Sequence, residues 1–130
     1  MSVRLDRADL AAFEYRLVKR MEELSQQIGA VREREREESF SSTAGEVPDA
    51  LDASVAIVVF ETANAEIRCA HDERRELDEA LGRLSVGSYG VCLRCGQPLE
   101  RARLEAYPAA KRHLPCQDAH ERDLKLRRLA

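Results

Sequence analysis

Leu10, Leu17, Leu24 and Val31 recur at intervals of seven, and Phe13, Met21 and Ile28 fill the neighbouring positions. The residues between them are largely charged. This pattern predicts a helix of about eight turns carrying one apolar seam of the coiled-coil kind. Asp6 and Asp9 provide an N-terminal cap and an acid for the positive first turn. Near its far end the helix runs into Arg32, Glu33, Arg34, Glu35, Arg36, Glu37 and Glu38. Pairs such as Glu33 with Arg36 suit a solvated helix surface there.

A second seam passes through Ala56, Ala63, Ala70, Leu77 and Leu84, again seven apart, with Phe60, Ile67 and Leu81 beside it. Arg74 interrupts that flanking row and has to reach water or find an acid. The two seams match in period and length. Ser39 to Ala53, rich in Ser, Gly, Pro and Asp, joins them. An antiparallel helical hairpin is the simplest way for each helix to bury its seam. Thirty helical residues would extend about 45 Å. The continuous run from Val55 to Phe60 could also be a strand, since it is β-branched. The alanines beyond it keep the helical period, and no partner strand is visible, so helix is the reading.

After residue 84 the pattern changes. Gly90, Gly96, Pro98 and Pro115 surround two short clamps, Cys92 with Cys95 and His113 with Cys116. Residues three apart on a tight turn can each offer a ligand, and zinc takes four such ligands at tetrahedral corners, three Cys and one His included. The expectation is a structural zinc knuckle held by Cys92, Cys95, His113 and Cys116. His120 is the alternative fourth ligand, placed on a helix leaving the knuckle. A degenerate knuckle held by packing alone is the bland alternative. A catalytic zinc would need an open position and a nearby base, and neither is indicated. Cys69 reads as an ordinary small side chain on the second helix.

The expected fold class is therefore all-α: a long antiparallel coiled-coil hairpin over residues 1–84, with its tip at about 39–54, and a zinc-knuckle base with a C-terminal helix over 85–130. Composition agrees. Of 130 residues, 35% are charged and 5% aromatic, which suits elongated helices better than a rounded core. The net charge of −3 argues against a protein that lives by wrapping phosphates. No apolar run approaches membrane-spanning length. The chain opens on a charged, periodic segment, so a reducing cytoplasm and free thiols are expected rather than disulfides.

Asp49 and Asp52 follow Pro48 at the predicted tip. Two acids three apart are what a helix start requires, one capping free N–H groups and one in the first turn. The functional reading is that a thin arm presents these acids at its extremity to a cavity in a partner.

Tyr89, Gly90, Val91, Cys92, Cys95 and Gly96, followed by Arg103, Leu104, Glu105, Ala106, Pro108, Ala110 and Cys116, resemble the zinc-finger signature of the DksA/TraR family, the DnaK-suppressor proteins. Asp49, Asp52 and Ser54 fall where that family carries its Asp-x-x-Asp-x-Ala tip. The resemblance is close over residues 46 to 125. It implies a bacterial transcription regulator that binds RNA polymerase, inserts its hairpin through the secondary channel and places the tip acids near the active site, in some members together with ppGpp. The resemblance implies no direct DNA contact, and the lack of a long apolar run leads to the expectation of no membrane. Two positions depart from the pattern. His113 stands at the third cysteine, and Ser54 stands at the tip alanine.

Two other readings compete. A zinc-anchored coiled-coil adaptor for another protein would use the same hairpin, and Ser54 would then mark loss of the polymerase role. A nucleic-acid-binding finger would rest on Arg101, Arg103, Lys111, Arg112 and His113. An enzyme is not expected, because no nucleophile–base constellation or phosphate loop is present. The apolar run after the tip also suggests a surface for self-association.

Overall fold

The computed structural model describes the backbone of residues 4–43 and 50–129, and the side chains of residues 4–37 and 54–129. Four helices follow one another: α1 (Arg7–Thr43), α2 (Ala50–Val86), α3 (Arg101–Ala106) and α4 (Leu114–Leu129). Among the described residues the β contact is one isolated bridge, Val91 with Pro98. The fold is all-α. Helix covers Ser39–Thr43 and Ala50–Ser54, parts of the segment read as the tip.

The chain divides into two compact units, one formed by Arg20–Arg75 and the other by Met1–Lys19 with Glu76–Ala130. In the Arg20–Arg75 unit, Leu24, Ile28 and Val31 of α1 and Ala70 of α2 are buried. The helices run antiparallel. Arg20 grips Glu73 with two bonds, Nε to Oε1 at 2.7 Å and Nη2 to Oε2 at 3.0 Å, and Arg34 reaches Glu66 at 3.5 Å. The paired guanidinium of Arg20 is held more firmly protonated by Glu73 than it would be in water. Both partners remain partly exposed, so the pair contributes at most about 1 kcal/mol. Orientation comes from charge, and adhesion from leucine.

Five of the seven named α1 seam positions are buried, with Leu10 and Met21 half-buried, and the α2 seam is shorter. Ala70, Leu77 and Ala80 are buried, while Val55, Ile57, Val58, Val59 and Phe60 are exposed. Phe60, read as flanking the seam, is 59% exposed, and Ala80, not read as core, is fully buried. The reason lies on α1, which after Val31 offers Arg34 and Glu35 rather than another apolar pair. The run from Val55 to Phe60 is helix, which settles its strand alternative. Arg74 is exposed to solvent, as its charge demands.

In the other unit, α1 begins with a reciprocal cap. The Asp9 N–H donates to Asp6 Oδ1 at 2.8 Å and the Asp6 N–H donates to Asp9 Oδ2 at 3.1 Å. Each acid thus satisfies a backbone donor of the other. Phe13, Leu17, Leu77, Ala80, Tyr89, Leu99, Leu104, Ala109 and Ala110 form the core. The Phe13 and Tyr89 rings lie 5.7 Å apart between centroids at 45°. Gly90 has φ of +82°, and a Cβ there would come within 3.1 Å of Leu5 Cδ1, so the position needs glycine twice over.

Truncation should separate seam from surface. Leu17→Ala or Leu24→Ala should lower unfolding free energy by about 3 kcal/mol, since each leaves a cavity in packed helices. Phe60→Ala should cost less than about 0.5 kcal/mol. Urea denaturation followed by circular dichroism checks both, and an equal cost for Phe60 would place that ring in a core.

Candidate metal centre

The first clamp sits on a tight turn between α2 and α3. Gly96 N–H donates to Cys92 O at 3.0 Å, and Cys92 N–H donates to Gln97 O at 2.9 Å. Gly96 permits this by adopting φ of +74°. Leu99 N–H donating to Gly90 O at 2.7 Å closes the ribbon behind it. The second clamp straddles the start of α4. His113 immediately precedes the helix, its carbonyl accepting from the Gln117 N–H at 2.8 Å, and Cys116 lies in the first turn. Pro115 is tolerated there because first-turn N–H groups have no helical partner. Leu93 N–H donating to Lys111 O at 2.9 Å draws the two clamps together.

The donor atoms of Cys92, Cys95, His113 and Cys116 all lie within 4.8 Å of one another. His113 Nδ1 is 3.3 Å from Cys95 Sγ and 4.0 Å from Cys116 Sγ. A tetrahedral zinc with the usual bond lengths sets an N–S edge of about 3.6 Å, between these two values. His120 is not part of this group. The other imidazole nitrogen supplies an independent test of fit. His113 Nε2 is 3.0 Å from Pro98 O, and a carbonyl only accepts, so Nε2 carries the proton. The lone pair is then on Nδ1, aimed at the three sulfurs. Orientation of a ligating histidine by a backbone carbonyl is the usual outer partner of a zinc site. The residues fit structural zinc, which would supply cross-linking here and no chemistry.

The thiols are unequal without metal. Burial pushes Cys92 up, but backbone N–H groups of Cys95, His113 and Arg94 and the Cys95 side chain outweigh it and bring it to about 6. Cys116 is pushed up to about 11 by burial and by the neighbouring Cys92 and Cys95. At neutral pH the cluster thus holds a thiolate beside a thiol, and metal binding must expel the remaining proton.

A collar of contacts that sequence reasoning missed holds the knuckle in its unit. Arg101 pairs with Asp9 at 2.7 Å, Arg16 Nη2 donates to Glu105 O at 2.7 Å, and Lys111 meets Glu79 at 3.5 Å. Tyr89 OH donates to Pro108 O at 2.6 Å, and burial pushes that phenol up to about 12. Arg103 Nε donates to Arg112 O at 2.6 Å, Tyr107 OH donates to Glu76, and Arg94 reaches Asp123 at 2.9 Å. Tyr89, Arg103, Glu105 and Pro108 stood in the quoted motif, Asp9 was read only as a cap, and Arg101, Lys111 and Arg112 only as nucleic-acid contacts, so none of these pairings was read from the sequence. The cations offered as nucleic-acid contacts, Arg101, Arg103, Lys111 and Arg112, all make contacts inside the protein.

Of the tip residues, Asp49 and the side chain of Asp52 lie outside the described residues, and Ser54 is exposed on α2. Among the described residues the group that gathers is the knuckle's own four, Cys92, Cys95, His113 and Cys116.

A hairpin of long helices and a four-donor knuckle define a class of zinc-finger protein, and comparison identifies which. Residues 87–122 match the prokaryotic dksA/traR C4-type zinc finger. The RNA polymerase-binding transcription factor DksA of Caulobacter vibrioides is 39% identical over 66 residues, covering 48% of this chain and 46% of that protein. An uncharacterized Aquifex aeolicus protein is 39% identical over 49 residues, covering 38% of this chain and 34% of its own length. The alignments thus span less than half of these relatives. The structure of transcription factor DksA2 from Pseudomonas aeruginosa matches at a TM-score of 0.64 and 27% identity, over 95% of this chain and 88% of that one. Residues 87–122 are thus similar to the dksA/traR zinc finger, and the fold as a whole is similar to that of DksA2. The chain departs from the four-cysteine type by placing His113 among three cysteines.

Zinc should bind one per chain and release at least one proton, because Cys116 enters protonated at neutral pH. Calorimetry in buffers of different ionisation enthalpy counts those protons. His113→Ala should weaken zinc by more than the roughly 10- to 100-fold lost with an outer-shell partner. A chelator competition showing unchanged affinity would remove His113 from the ligand set.

Proposed function

We propose that this protein is a bacterial transcription regulator that binds RNA polymerase. The observation that carries the reading is the 39% identity over 66 residues to an RNA polymerase-binding DksA, joined to a fold match covering 95% of the chain. In this reading residues 1–84 act as the inserting hairpin and residues 85–130 as the base that docks at the rim of the secondary channel. Cys92, Cys95, His113 and Cys116 hold the zinc that keeps the base rigid. Asp49 and Asp52 place negative charge near the polymerase active site, and Ser54 adds a hydroxyl beside them. The effect would be on the lifetime of promoter complexes, with ppGpp acting at the same interface.

Physical chemistry supports this arrangement in three ways. The net charge of −3 and the internally committed arginines favour a protein surface over a phosphate backbone as the partner. Among the described residues no helix is long and apolar enough to cross a membrane. The four-donor site is closed, which suits scaffolding and leaves no open metal position for catalysis. The adaptor reading draws on one observation, the exposed run from Val55 to Phe60, which offers an apolar surface to some other protein.

Core RNA polymerase should retain the protein in a pull-down. Asp49→Asn with Asp52→Asn should leave retention unchanged while abolishing any change in open-complex lifetime. Absence of retention would favour the adaptor.

A further inference from the structure

Within the Arg20–Arg75 unit, a groove of about 190 Å³ lies between α1 and α2, where the hydrophobic seam gives out. Its apolar floor is Val31, Val58, Val59 and Ala63, and its polar lining includes Glu35 and the Arg34–Glu66 pair. Val59 and Ala63 share one face of α2 by their spacing, and Val58 stands at its edge. Val58 and Val59 are nonetheless 61% and 40% exposed. Glu35 Oε1 is sealed from solvent and has no hydrogen-bond partner among the described residues. A carboxylate oxygen left in that state loses its hydration without compensation.

Arg34 is paired to Glu66 at 3.5 Å and Arg36 to Glu33 at 3.6 Å. The charged lining of the groove, Arg34, Glu35 and Glu66, thus sums to one net negative charge over an aliphatic floor. A side chain with a methylene stem and a cationic head satisfies both halves at once. Arginine fits better than lysine, because its planar fork can reach Glu35 and still face the carboxylate of Glu66.

We infer that this groove is a docking site for an arginine side chain of a protein partner, its stem on Val58, Val59 and Ala63 and its guanidinium donating to Glu35. The site shares no residue with the acidic tip or the zinc knuckle, and it does not depend on the partner being polymerase.

The test is methyl NMR on the full chain, titrated with N-acetyl-arginine amide and, separately, with the uncharged isostere N-acetyl-citrulline amide. The arginine probe should give saturable shifts at the Val31, Val58 and Val59 methyls, and the citrulline probe should give none. Glu35→Gln should weaken the arginine probe about tenfold, as loss of a charge-assisted bond does. Ala63→Leu, which fills the floor and keeps the charge, should weaken it too, with circular dichroism confirming that both variants stay helical. Equal shifts from both probes, unchanged affinity in Glu35→Gln, or no saturable shift would overturn the assignment. No polymerase is present in this experiment, so its failure and that of the polymerase pull-down are told apart.

Discussion

Convergence of three sulfurs and one imidazole nitrogen within 4.8 Å is the constraint on which the base of this protein depends. Between the clamps lie only the six-residue α3 and its flanking turns, too little chain to build a core of its own. A cross-link therefore has to do what hydrophobic burial does in larger domains, and a structural zinc contributes to folding directly. Around it, Tyr89, Leu99, Leu104, Ala109 and Ala110 pack against residues of the α1 and α2 ends. The ion pairs Arg101–Asp9 and Lys111–Glu79 fix register more than they add stability, being partly exposed.

The histidine is consistent with this economy. A cysteine thiolate in its place would bring a fourth negative sulfur to the cluster. A neutral imidazole oriented by Pro98 O supplies the same lone pair with one less charge to accommodate. The zinc complex then carries one negative charge less than that of the four-cysteine type. Arg94, bonded to Asp123, lies between the two ligands of the first clamp and contributes a backbone N–H to Cys92. The departure at residue 113 changes the electrostatics of the knuckle while keeping its donor count.

Much of this was legible in one dimension. Heptad spacing named seven α1 positions, of which Phe13, Leu17, Leu24, Ile28 and Val31 are buried and Leu10 and Met21 half-buried, because a helix turns linear period into a face. The Asp6–Asp9 cap and the knuckle clamps were legible for the same reason, as local patterns of three residues. What could not be read was whatever depends on a partner distant in sequence. Asp9 meets Arg101 across 92 positions, and nothing in either neighbourhood announces it. Phe60 was read beside the α2 seam on heptad spacing, yet its burial was a question about α1, which answers with Arg34 and Glu35. Ala80 failed in the opposite sense, since a small residue off the counted stripe carries almost no signal.

The hairpin and the knuckle thus divide the labour. One carries position along two helices through leucine packing, and the other anchors their ends by coordination. The claim beneath both is that a three-sulfur, one-nitrogen site holds a single ion. Cobalt substitution tests it most directly. The account predicts one Co²⁺ per chain, with the intense visible bands of a tetrahedral site and sulfur-to-metal charge transfer in the near ultraviolet. Weak octahedral bands, or no uptake at neutral pH, would contradict it.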